Sequence, residues 1–217
     1  MKIIFKKHSL VITLIVVVSC IVGGLFLLYN KTCKERTLTP SQSVKNQAPM
    51  NIVIQPVGKG DELFDMDTYN KVRKVLPNVS LNQPTKIPMS AYVKDRGRYR
   101  ADSIIHWLNT LAKPNEVYVG ITMNDISTTK GSVQDWGVMG LGYCPGHACV
   151  VSNFRVKHLD NYFKVVLHEI GHTMGLNHCP VKTCYMRDAE GHDSTGEETD
   201  FCPKCKSFLK TKGWKLQ

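Results

Sequence analysis

Two histidines four residues apart within a helical run constrain this chain more than any other feature. From Leu159 to Leu176 apolar residues recur at helical spacing, and Val165, Val166 and Ile170 mark a face that packs into a core. His168 and His172 then lie one above the other on one helix face, so both imidazoles can reach a single metal ion. Glu169 sits about 100° round the helix from His168. That places it beside the ion rather than on it, free to take a proton from metal-bound water.

The chain continues Thr173-Met174-Gly175-Leu176-Asn177-His178. Glycine tolerates the left-handed conformation that ends a helix, so Gly175 can turn the chain and bring His178 back as a third ligand. Three histidines and a water make an open tetrahedral site, and the open position separates a catalytic zinc from a structural one. In such a site zinc acidifies its water and polarises the scissile carbonyl, while Glu169 carries the proton to the leaving amine. The competing reading is a solvent-exposed helix with incidental histidines, against which the apolar Val165, Val166 and Ile170 argue.

Beyond His178 come Cys179, Cys184-Tyr185-Met186 and Cys202-Pro203-Lys204-Cys205. From His168 to Cys205 the sequence resembles the archaemetzincins, a metzincin family marked by the extended zinc helix, a cysteine after the third histidine, a nearby Cys-x-Met and a final CxxC. The stretch between Met186 and Cys202 is slightly shorter than is usual there. The resemblance implies a zinc metallopeptidase acting on a peptide or protein substrate, with Met186 in the turn beneath the active-site metal. It also implies a second zinc held by Cys179, Cys184, Cys202 and Cys205, making two Zn2+ per chain. Soft thiolates and a small C-terminal region in need of a staple suit that reading on their own merits, with two disulfides as the competing one. Cys144 and Cys149 lie outside the family pattern, and a small disulfide loop between them is an option.

Strand and helix signals alternate ahead of this motif. Asn51 to Gln55, Ile87 to Val93 and Glu116 to Thr122 read as strands, and Met66 to Leu76 and Ala101 to Leu111 as amphipathic helices ending before Pro77 and Pro114. Gly137 to Gly142 and Cys149 to Phe154 add short extended pieces. The expected class is α/β: a metzincin-like zincin fold, with a mixed twisted sheet, an active-site helix and a small zinc-stapled C-terminal subdomain. Residues 51–217 form the expected catalytic domain. The 28 Lys and Arg against 18 Asp and Glu give a net charge of +10, but they are scattered rather than gathered in one stripe, which argues against a nucleic-acid partner.

Ser9 to Tyr29 runs without a charge between Lys7 and Lys31. Its length matches the roughly 20 residues that cross a bilayer and exceeds the apolar core of a signal peptide. Residues 1–8 are then a cytoplasmic N-terminus, 9–29 a transmembrane anchor and 30–50 a polar, proline-containing tether. Val17-Val18-Ser19-Cys20 also resembles a lipoprotein cleavage box. A short basic N-terminus before an apolar run stays in the cytoplasm, so the expectation is a single-pass membrane protein with its domain outside. Two rival functions remain at this point. One is a membrane-anchored, non-catalytic, zinc-stabilised binding module; the other is a zinc hydrolase of non-peptide amides.

Overall fold

The computed structural model describes residues 50–188, 191–214 and 216. Its central sheet has the strand order β2-β1-β5-β9-β8. β1 (Asn51–Pro56), β2 (Val79–Leu81), β5 (Glu116–Thr122) and β9 (Ala148–Ser152) run parallel, and β8 (Gly140–Gly142) closes one edge antiparallel to β9. A second sheet joins β3 (Tyr92–Val93), β4 (Arg98–Arg100), β6 (Ile126–Lys130) and β7 (Val133–Val138) in that order. This is the mixed α/β architecture expected.

Both faces of the central sheet are covered. Along β9, Cys149 and Val151 point into one apolar cluster and Ala148 and Val150 into another, the two-residue alternation of a strand buried on both sides. The first cluster lies under α1 (Glu62–Val75) and α3 (Tyr162–Met174), and it extends to α4 (Pro203–Thr211) through Cys205 and Leu209. The second lies under α2 (Ala101–Leu111), which contributes Ala101, Ile104, Ile105 and Leu108, all fully buried.

Where expectation and structure differ, local chemistry explains the change. α2 and β5 have the expected bounds. α1 begins four residues earlier than its apolar spacing suggests, because the Asp61 side chain accepts from the Phe64 amide at 2.9 Å and caps it. Ile87 to Val93 holds only a two-residue strand, preceded by a 3-10 turn over Met89–Ala91 next to Pro88. α3 starts at Tyr162, with Leu159–Asn161 forming a 3-10 turn before it. β2, β4, β6 and α4 have no counterpart among the expected elements.

The single-pass membrane location with an extracytoplasmic domain is overturned. Among the described residues no helix is long and apolar enough to cross a membrane. The longest, α1, has 14 residues against the roughly 20 that a span needs, and each helix is amphipathic or short because it packs on the sheet or the C-terminal cluster. Residues 9–29, on which that expectation rested, lie outside the described residues, as do 1–8 and 30–49 of the expected terminus and tether.

α3 positions the site and is held down along its length. Val166, Leu167 and Ile170 are fully buried, each worth about 2 kcal/mol in area removed from water. At its first turn the buried Tyr162 hydroxyl donates to the Val151 carbonyl at 2.8 Å, tying the helix to β9. Tyr162→Phe is therefore expected to lower unfolding stability by about 1 kcal/mol. An unchanged urea midpoint would show that this bond contributes nothing.

Candidate metal centre

α3 carries His168, Glu169 and His172, and it ends at Gly175, whose φ of 103° is left-handed. The Gly175 amide donates to the His172 carbonyl at 2.8 Å and that of Leu176 to Gly171 at 3.0 Å, so the chain reverses and returns His178 to the helix. The three rings come together with centroids 4.6, 4.9 and 5.4 Å apart. One ligand nitrogen from each lies within 4.8 Å of the others.

The tautomers can be worked out from the partners. His168 Nδ1 lies 2.7 Å from the Tyr185 carbonyl and His172 Nδ1 2.7 Å from the Leu176 carbonyl. A carbonyl only accepts, so each Nδ1 carries the proton and each Nε2 presents a lone pair. Yet the two Nε2 atoms face one another at 3.0 Å. Two lone pairs at that distance repel unless a cation lies between them, and neutral imidazole nitrogens are the donors zinc takes. The donor set therefore fits zinc. Burial first, then the neighbouring imidazoles, depress His168 to about 3, while burial chiefly takes His172 to about 4, so both stay neutral well into acid. His178 is half exposed, and its Nδ1 lies 3.2 Å from Asp188 Oδ2.

Glu169, the next residue along the helix from His168, is buried against the sheet edge at β8. A side chain at Gly140 would come within 2.6 Å of Glu169 Oε1, and one at Gly142 within 3.2 Å of Oε2. The two glycines of β8 thus clear the space its carboxyl fills. Burial alone pushes that carboxyl up to about 8.

Met186 lies fully buried beneath the helix. Its sulfur sits 2.3 Å from where a Cβ on Gly171 would be, so only glycine between the two histidines lets the thioether reach the helix backbone. Cys179, Cys184, Cys202 and Cys205 gather so that their sulfurs lie within 4.8 Å of one another, and all four are free thiols, so the two-disulfide alternative does not occur. Cys202 caps α4 and Cys205 lies in its first turn; burial is outweighed at Cys202 by hydrogen bonds from the neighbouring cysteines, which lower its thiol to about 7, while burial raises that of Cys205. Backbone amides of Met186 and Cys202 reach Cys184 Sγ at 3.5 and 3.3 Å. Cys149 is a fully buried free thiol whereas Cys144 is disulfide-bonded, so the two do not form the small loop that their spacing allows.

Several contributors carry no sequence signal. The carbonyls of Tyr185 and Leu176 act through the main chain, and Asp188 belongs to no motif. The Tyr185 hydroxyl is committed to the Thr199 carbonyl at 2.8 Å.

Residues 60–211 match the model described as peptidase family M54. The archaemetzincin of Haloarcula marismortui is 31% identical over 153 residues, spanning 63% of this chain and 86% of its own length. The crystal structure of archaemetzincin from Methanopyrus kandleri superposes with a TM-score of 0.64 at 26% identity, covering 78% of this chain and 98% of that one. That of archaemetzincin from Archaeoglobus fulgidus, complexed with malonate, gives 0.60 at 28% identity, covering 73% and 99%. Fold, donor set and kinship together define a zinc-dependent metallopeptidase. More narrowly, the chain belongs to peptidase family M54, the archaemetzincins.

The raised Glu169 carboxyl has a consequence for stability. A carboxyl at about 8 when folded and near 4.5 when unfolded binds an extra proton in the native state between those values. Its contribution is complete below pH 4.5 and is lost as pH rises through 8. In metal-free protein the thermal midpoint of the wild type should fall relative to that of Glu169→Gln over this window. Parallel midpoint curves for the two proteins would contradict the assignment.

Proposed function

We propose that residues 51–217 form a catalytic domain that hydrolyses the peptide bonds of a peptide or protein substrate, at a zinc held by His168, His172 and His178. The reading rests above all on the facing Nε2 lone pairs of His168 and His172, whose protons are committed elsewhere. When bound, zinc supplies a Lewis acid that polarises the scissile carbonyl and acidifies water at neutral pH. The remaining chemistry belongs to the protein's own groups. Glu169 takes a proton from the attacking water as its oxygen adds to the carbonyl carbon. It then delivers that proton to the leaving amine nitrogen as the C–N bond breaks, so that the carboxylate is restored. Its dry position against Gly140 and Gly142 suits this task, because burial raises its proton affinity toward the working pH.

His168 and His172 do not titrate in this scheme. Their Nδ1 protons stay on the carbonyls of Tyr185 and Leu176, which keeps Nε2 oriented toward the centre. Met186 acts by packing: its sulfur fills the gap at Gly171 and sets the height of the helix between the two ligands. Cys179, Cys184, Cys202 and Cys205 would hold a second, structural zinc in a closed thiolate site, giving two ions per chain. Four free sulfurs of suitable spacing, at the start of a helix and joined to the segment carrying Met186, support that part of the reading.

Metal analysis and peptide cleavage test the two halves separately. Glu169→Gln should keep both zincs and lose cleavage by at least about a hundredfold. His172→Ala should lose one zinc and all cleavage. Cys202→Ser should lose the other and unfold at lower temperature. A fully active Glu169→Gln protein, or wild-type protein containing no zinc, would refute the mechanism.

A further inference from the structure

We propose that Asp188 is the positioning residue for the third ligand, holding the His178 imidazole so that its Nε2 faces the other two. The proposal rests on the zinc site described under Proposed function. It starts from an asymmetry among the three histidines. His168 and His172 project from a helix and are anchored through Nδ1 to main-chain carbonyls. His178 lies beyond the helix end with 49% of its side chain exposed, so helix geometry does not fix its ring and packing covers only part of it. Its Nδ1 partner is a side chain: Asp188 Oδ2, at 3.2 Å.

Asp188 is delivered there by backbone register. The Cys179 amide donates to the Met186 carbonyl at 2.7 Å, and residues 179 and 187 pair in parallel. The Arg187 amide donates to the Cys184 carbonyl at 2.9 Å, and its guanidinium meets Glu197 Oε2 at 2.7 Å. The segment that seats Met186 under the helix therefore carries Asp188 to the flank of His178 two residues later. A carboxylate there accepts the Nδ1 proton, selects the tautomer with a free Nε2 and makes that nitrogen a better donor. Partners of this kind are worth about ten- to a hundredfold in metal affinity. With the Asp188 side chain 55% exposed, the lower end applies.

The test is a zinc competition titration of the full chain against a chromophoric chelator, together with the thermal midpoint of each metal-free protein. Asp188→Ala should weaken zinc at the histidine site by about tenfold, leave the thiolate zinc in place and leave the metal-free midpoint unmoved. Asp188→Asn, which still accepts a hydrogen bond, should recover part of the loss. Glu197→Ala, which loosens the same segment without touching His178, should bind zinc as the wild type does. The proposal is overturned if Asp188→Ala binds zinc as tightly as the wild type, if its affinity falls only together with the metal-free midpoint, or if Glu197→Ala loses as much. Failure of the underlying site would look different: the wild type would hold no zinc that His172→Ala loses.

Discussion

Two hydrogen bonds from imidazole to main chain hold the rest of the site in place. Because the Nδ1 protons of His168 and His172 go to the carbonyls of Tyr185 and Leu176, both rings are fixed in tautomer and in rotation. The lone pairs that result are forced together in a partly buried space, an arrangement unfavourable in the protein alone and favourable around a cation. One acceptor lies just past the left-handed Gly175 and the other one residue before Met186. The helix end and the segment beneath it are thus set by the same two bonds that set the ligands.

The C-terminal region supports this arrangement from below. Tyr185 stacks edge-on against Phe201, and Phe201 against Trp214, at centroid separations of 5.1 and 5.9 Å. These contacts press the end of the chain onto the Met186 segment, while Leu209 of α4 is fully buried in the same cluster. The cysteines occupy the junction. Their role as a staple follows from where they sit, between a nine-residue helix too short to be stable alone and the turn under the active centre.

How much of this could be read from the sequence depended on how local each feature is. The spacing of His168, Glu169, His172, Gly175 and His178 encodes a helix and its termination, and these are decided by neighbouring residues. α2 and β5 were legible for the same reason, Pro114 marking the end of one and the approach to the other, with a clear helical period before it and a β-branched run after it. β2, three residues long, exists because it pairs with β1, and nothing in Val79-Ser80-Leu81 marks it. Asp188 and the glycines of β8 matter through contacts that cross the chain, which no pattern in one segment reveals. Cys144 and Cys149 show the converse: a close spacing suggested a pair, and the fold buries one sulfur in the sheet away from the other's bond. The apolar run of residues 9–29 invited a membrane reading that the described helices do not bear out.

His178 and Cys179 are consecutive, so the two sets of ligands share a single peptide unit. Their α-carbons are separated by about 3.8 Å of rigid amide, with no residue between to absorb a shift. A shift of the backbone at Cys179 is therefore carried straight to the residue that bears the last imidazole. The protein has in effect one hinge pin for two adjoining clasps.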